Sequence, residues 1–182
     1  MIIIGITGTL GAGKGTVVKY LVENYGFLHF SVRDFITKEV KNRNLPVNRD
    51  TLTLIGNDLR KNHNPSYIVD CLYEEAQKEG LNCVIESIRT PGEIMSLRKH
   101  ENFILLSIDA DPMTRYKRIK IRNSETDQVQ YETFIANEMR EYDSYDPNKQ
   151  NLGKCIEMAD FHLTNNGTVE ELYEQIEKLN LF

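Results

Sequence analysis

The fold of this chain is decided by one stretch near its start, Ile2-Ile-Ile-Gly-Ile-Thr-Gly8-Thr-Leu-Gly11-Ala-Gly13-Lys14-Gly15-Thr16. Its apolar start predicts a buried strand, its glycines predict a loop, and the helical spacing of Val17, Val18 and Leu21 predicts a helix directly afterwards. Glycines let successive backbone N–H groups converge on one anion, and the helix N-terminus adds further N–H groups and a positive dipole end. Lys14 supplies a mobile positive charge. We therefore predict that the phosphates of a nucleotide bind to Gly8, Gly11, Ala12, Gly13, Lys14, Gly15 and Thr16.

Short apolar runs alternate with amphipathic helical patterns along the rest of the chain. Runs at 27–30, 83–85, 103–108 and 161–163 have the continuous hydrophobic character of strands in a parallel sheet. Strand–helix alternation implies βαβ units, and hence an α/β fold in which helices cover both faces of a five-stranded parallel sheet. A length of 182 residues fits a single domain spanning 1–182.

Composition excludes several classes of protein. The net charge is −5, which disfavours general nucleic-acid binding, and no apolar run approaches the roughly 20 residues of a membrane span. The first residues lack the basic region of a secretory signal. Cys71, Cys83 and Cys155 lie far apart, without the spacing of a zinc site or a disulfide framework. These observations predict a cytoplasmic protein whose partners are small molecules and include neither nucleic acid nor a membrane. They leave open whether it is a monomer or a homodimer.

The loop matches the pattern G-x-x-x-x-G-K, and the string Gly11-Ala-Gly-Lys-Gly-Thr16 resembles the adenylate kinase and nucleoside monophosphate kinase family. The opening Gly5-Ile-Thr-Gly8 looks like dephospho-coenzyme A kinases. The resemblance implies the three-layer P-loop NTPase fold, with strand order 2-3-1-4-5 and a helical lid. It also implies ATP as phosphoryl donor, Mg²⁺ as cofactor and a small nucleotide as acceptor. One departure is that Gly15 stands where the common loop has Ser or Thr, with Thr16 next.

The same resemblance implies roles for polar residues after each predicted strand, which meet at one edge of a parallel sheet. Residues of about 32–66 would form the acceptor-binding region, and about 123–151 the lid, with hinges near Asn123 and Pro147. Acceptor contacts would come from Arg33, Asp34, Arg60 and Arg89. Mg²⁺ would be held by Thr16 and Glu86, directly or through water. Catalytic charge would come from Lys14, Arg118, Arg122 and Arg140, with Arg118 also against the ATP base.

Plainer alternatives stand beside these roles. Asp34 also fits an ordinary acid in the first turn of a helix, and the arginines at 115, 118 and 122 fit a solvated basic stripe.

The predicted activity is transfer of the γ-phosphoryl group of ATP to a (deoxy)nucleoside monophosphate. A dephospho-coenzyme A kinase, with Asp34 as the base for a ribose hydroxyl, is the first alternative. A P-loop NTPase switch or nucleotide-sensing module is the second, and it would turn over ATP without any acceptor.

Overall fold

The computed structural model describes residues 1–124 and 128–181. Within them lies one five-stranded parallel sheet, built from β1 (Ile3–Gly8), β2 (Leu28–Ser31), β3 (Cys83–Glu86), β4 (Phe103–Asp109) and β5 (Phe161–Thr164). The strand order is β2-β3-β1-β4-β5, which confirms the predicted order 2-3-1-4-5. β1 is the central strand, because Ile3 pairs with Cys83 of β3 on one side and with Phe103 of β4 on the other.

Helices connect the strands and cover the sheet. They are α1 (Lys14–Tyr25), α2 (Val32–Asn42), α3 (Arg49–Asn62), α4 (Tyr67–Glu79), α5 (Pro91–Leu97), α6 (Pro112–Arg122), α7 (Tyr131–Tyr142), α8 (Leu152–Glu157) and α9 (Val169–Glu177).

Side chains of the strands point alternately to the two faces of the sheet and form two separate cores. Ile3 packs with buried residues of α2 to α5 and α8, whereas Ile4 and Ile6 pack with those of α1 and α9. The fold therefore has three layers, as predicted. No helix in the described part of the chain is long and apolar enough to cross a membrane.

The turn after β3 is fixed by a capping box at the start of α5. Thr90 Oγ1 accepts a hydrogen bond from the Glu93 N–H, and the Glu93 side chain accepts one from the Thr90 N–H. Pro91 occupies the first helical position, where its missing N–H costs nothing. These hydrogen bonds hold the short loop that carries Arg89.

The region predicted as a lid contains α7, which packs against α6. Phe134 of α7 is buried and lies beside Tyr116 of α6 and Tyr131. Asn123, the predicted first hinge, ends α6 in the left-handed conformation, with φ of 48°. Residues 125–127 of the predicted lid lie outside the described residues.

Candidate functional site

The glycine-rich loop joins the central strand β1 to the N-terminus of α1. Gly8 and Gly13 have φ of 133° and 102°, in the region that side chains rarely adopt. A Cβ on Gly8 would lie 2.0 Å from the Ile108 carbonyl oxygen, and one on Gly13 would lie 2.2 Å from Asn165 Nδ2. Glycine is therefore required at both positions for the loop to pack against β4 and the end of β5.

Lys14 is buried at the base of this loop, with 8% of its surface exposed. Its Nζ donates hydrogen bonds to the carbonyl oxygens of Gly8, at 2.9 Å, and Thr9, at 2.8 Å. Burial lowers the pKa of Lys14 to about 7, with a smaller contribution from the charge of Arg89 and an opposing one from Glu86. An anion bound in the loop would favour the charged form of this lysine.

A cleft of about 480 Å³ opens at the carboxyl ends of the strands, in front of the loop. Most of the predicted site residues line it, namely Gly11, Gly13, Lys14, Gly15, Thr16, Arg33, Arg60, Glu86, Arg89, Arg118 and Arg122. Apolar side chains of Val32, Ile36 and Leu52 form part of another wall. The structure thus brings the phosphate loop and several arginines together around one space.

Four predicted site residues do not line this cleft, namely Gly8 and Ala12 of the loop and, outside the loop, Asp34 and Arg140. Asp34 is exposed in the first turn of α2, where its N–H donates to Ser31 Oγ at 3.1 Å. Arg140 is half-exposed on α7, with Nη2 2.9 Å from Asp50 Oδ1. Neither residue lines the cleft. The structure therefore gives Asp34 the placement of an ordinary helix N-terminal acid.

Arg60 reaches the cleft from α3 but is held by a buried partner. Its Nε and Nη2 donate to Glu93 Oε1 at 3.1 and 2.7 Å, and the two side chains are 1% and 0% exposed. Glu93 Oε2 accepts the N–H of Arg89 at 2.9 Å and of Thr90 at 3.1 Å. Glu93 thus completes the capping box of α5 and is also the counterion of Arg60. The pair supports the loop on which Arg89 stands.

Glu86, at the end of β3, is a carboxylate of the cleft whose charge raises the pKa of Lys14. Its Oε2 lies 3.3 Å from His29 Nε2, and its Oε1 accepts a hydrogen bond from Ser87 Oγ at 3.4 Å. Burial raises the pKa of Glu86, but the hydrogen bond with His29 and the charge of Lys14 outweigh burial and hold that pKa below its usual value. Glu86 is thus an ionised oxygen donor. Ser87 has φ of 71°, a strained conformation of the kind found at functional sites.

The sequence analysis missed two charged residues in the cleft, Arg49 and Glu141. Arg49 Nε and Nη2 donate to Glu141 Oε1 and Oε2, both at 2.9 Å, and Arg89 Nη1 donates to Oε2 at 2.5 Å. Burial raises the pKa of the Glu141 carboxyl, but the charges of Arg89 and Arg49 hold it below its usual value. Glu141 is the residue after Arg140, and nothing in the sequence singles it out.

The arginines of α6, at 115, 118 and 122, do not all face the same part of the structure. Arg115 faces α7, with Nη2 2.9 Å from Glu138 Oε1, whereas Arg118 and Arg122 line the cleft. Arg118 Nη1 donates to the Asn165 carbonyl oxygen at 2.8 Å, and Asn165 Nδ2 donates to the Ala12 carbonyl oxygen at 2.8 Å. Asn165, after β5, therefore ties the arginine helix to the phosphate loop.

Comparison with solved structures agrees with this architecture. TT1252 from Thermus thermophilus superimposes with a TM-score of 0.60 at 19% identity, covering 98% of this chain and 96% of that one. Shikimate kinase from Acinetobacter baumannii, solved in complex with shikimate, gives a TM-score of 0.60 at 16% identity, covering 100% and 93%. At such identities the likeness shows the fold alone. The loop, the strand order and these likenesses define a P-loop protein with a kinase-like fold.

Sequence comparison adds the family. A family model described as an AAA domain matches residues 4–146. A UPF0200 protein of Methanocaldococcus jannaschii is 30% identical over 182 residues, covering 98% of this chain and 89% of that protein. A UPF0200 protein of Methanococcus vannielii is 31% identical over 183 residues, covering 98% and 95%. The chain belongs to the UPF0200 family and to the AAA-domain family.

Proposed function

We propose that this protein is an ATP-dependent phosphotransferase that transfers the γ-phosphoryl group to a (deoxy)nucleoside monophosphate. One observation carries the proposal: the phosphate loop with Lys14 and the arginines at 33, 49 and 89 line the same cleft. Phosphoryl transfer needs positioning and positive charge around the moving group more than it needs a protein nucleophile. A cleft with a nucleotide loop and an arginine-rich wall supplies both.

The donor side of the cleft is the loop and the N-terminus of α1. The loop N–H groups and Lys14 would bind the β- and γ-phosphates, and Arg118 and Arg122 would approach the donor from α6. Binding of the phosphates would compete for Lys14 with the carbonyl oxygens of Gly8 and Thr9.

The residues present fit a magnesium ion that arrives with the nucleotide. Thr16 and the ionised Glu86 both line the cleft and offer the hard oxygen ligands that Mg²⁺ prefers. No group of three or more His, Cys, Asp or Glu residues that could hold a metal occurs in 1–124 or 128–181, so most ligands would be phosphate oxygens and water. Bound there, Mg²⁺ would neutralise charge on the phosphates.

The acceptor side lies against α2, α3 and the loop after β3. Arg33, Arg49 and Arg89 would bind the phosphate of the acceptor, since guanidinium groups bind such oxyanions in bidentate fashion. The apolar wall formed by Val32, Ile36 and Leu52 would accommodate its base. These residues fall in the 32–66 region that the sequence assigned to the acceptor, except Arg89. The 123–151 region would serve as the lid of the single 1–182 domain. Its closure would exclude water during transfer.

The test is a coupled assay of ADP release from MgATP, screened over ribo- and deoxynucleoside monophosphates, dephospho-coenzyme A and shikimate. Shikimate is included because the kinases named for it share the fold. We expect saturable ADP formation with a nucleoside monophosphate, and a loss of at least about a hundredfold in Lys14→Met.

The Lys14→Met variant shows that the measured ATP turnover arises from this loop. ADP formation only with dephospho-coenzyme A or shikimate would overturn the assignment of the acceptor. Steady ATP turnover unaffected by every acceptor would instead identify an NTPase switch.

A further inference from the structure

We propose that Arg49 and Arg89 form an anion subsite for the phosphomonoester group of the acceptor, and that Glu141 of α7 is an internal ligand which this group must displace. The identity of the anion rests on the proposed function, whereas the displacement of Glu141 does not. Acceptor binding is thereby linked to release of the C-terminal end of α7. The site thus has two exchangeable occupants, one from the chain and one from solution.

The geometry is that of a bound ligand. Arg49 holds both carboxylate oxygens of Glu141 through parallel hydrogen bonds of 2.9 Å, while Arg89 adds a third at 2.5 Å. The Glu141 side chain is 4% exposed, and all three residues line the cleft in front of the phosphate loop. The arginine pair is therefore already arranged to bind an oxyanion in bidentate fashion.

Charge favours a dianion over the present occupant. Two guanidinium groups face one carboxylate, so this buried cluster carries a net charge of +1. Burial lowers the pKa of Arg49, Glu141 opposes that shift, and the like charge of Arg89 adds to it. A phosphomonoester carries close to two negative charges at neutral pH and three acceptor oxygens. A phosphomonoester would neutralise the charges of both arginines, whereas Glu141 neutralises only one.

The link to α7 follows from how that helix is held. Glu141 provides its buried ion pair in the cleft, whereas Arg140 pairs with Asp50 at the surface and Glu138 pairs with Arg115 away from the cleft. An exposed ion pair such as that of Arg140 and Asp50 contributes little to stability. Displacement of Glu141 would therefore loosen the last turn of α7 and the residues after it, while the Glu138 contact keeps the middle of the helix attached.

The experiment measures hydrogen exchange in the whole chain with MgADP saturating the loop, so that added anions reach the acceptor side. Inorganic phosphate is titrated at about pH 8, where it is a dianion, against sodium acetate at matched ionic strength. We expect phosphate, but not acetate, to increase exchange at residues 139–145. In Glu141→Gln, exchange there should already be high, and phosphate should bind about tenfold more tightly because its competitor is gone.

Two further variants complete the test. Glu138→Gln is the matched control, since it breaks a carboxylate–arginine contact of the same helix outside the cleft, and its phosphate response should equal that of the wild type. Glu141→Asp keeps the charge with a shorter reach and serves if Glu141→Gln fails to fold. It should show an intermediate response.

The proposal is wrong if phosphate leaves exchange at 139–145 unchanged in the wild type, or if phosphate affinity is the same with and without the Glu141 carboxylate. Neither measurement requires turnover. Acceptor-dependent ADP formation without phosphate-driven release of α7 would refute this inference and leave the proposed function standing. Release of α7 without acceptor-dependent ADP formation would refute the proposed function and leave this inference standing.

Discussion

Removal of the Glu93 charge is expected to destabilise the folded protein strongly. Glu93→Gln keeps the size of the side chain and an oxygen for the N–H groups of Arg89 and Thr90, but leaves Arg60 without its counterion. The pair is 1% and 0% exposed, so no solvent replaces the lost charge. Breaking a buried pair on one side costs about 3–5 kcal/mol.

The assay is equilibrium unfolding in urea. With a slope of about 2 kcal/mol/M, a loss of that size lowers the midpoint by about 2 M. Glu171→Gln is the matched control, because Glu171 completes the equivalent capping box of α9 on the surface. There we expect a change of only about 0.5 kcal/mol, from the helix dipole.

A second variant separates the two roles possible for Arg60. Combining Glu93→Gln with Arg60→Met removes both charges, and most of the lost stability should return. If Arg60 also contacts the acceptor, this refolded double variant will show a raised acceptor KM. Equal destabilisation by Glu93→Gln and by Glu171→Gln would refute the reasoning, since a buried counterion cannot cost as little as an exposed one.

Three further outcomes are expected. Lys14→Met should stabilise the unliganded protein at pH 7 while abolishing transfer. The pKa of Lys14 is about 7 in the folded protein and 10.5 for an ordinary solvated lysine, so between pH 7 and pH 10.5 the folded state holds fewer protons than the unfolded state. Wild-type stability should therefore rise with pH across that window, and a urea midpoint that does not change with pH would contradict the lowered pKa of Lys14. Arg89→Ala should raise the acceptor KM well above any change in the ATP KM, and the reverse pattern would place Arg89 on the donor side. Gly8→Ala should cost about 3 kcal/mol or more in unfolding experiments, because its Cβ would lie 2.0 Å from a backbone oxygen of Ile108. Gly15→Ala is the control, since no atom lies within 4 Å of a Cβ there, and it should leave stability equal or slightly higher.

The sequence predicted those features that depend on local pattern. Apolar runs and helical spacing were enough to predict the layers of the fold, because both are patterns of residues close together in the sequence. The strand order came from the resemblance carried by the loop. Arg33, Glu86 and Arg89 line the cleft because they follow strands whose ends meet at one edge.

The direction in which each residue of a helix points explains which charged side chains enter the cleft, and the sequence alone did not predict this. Neighbouring helical residues differ by about 100° in direction, so Arg33 lines the cleft while Asp34 faces away, and Glu141 enters while Arg140 does not. Nor does sequence pattern say which charges meet, since Arg49 and Glu141 are separated by 92 positions.

The central position of β1 has a consequence for how the protein is made. The phosphate motif leaves the ribosome before the strands on either side of β1, which come from residues 83–86 and 103–109. Asn165, which holds the loop through Ala12, comes later still. During synthesis the nascent chain therefore exposes one of its most apolar segments long before partners exist, a period in which chaperones would bind it. A nucleotide can assist folding only after Asn165 has been synthesised, so a transcript truncated after α7 would encode the motif without a finished site.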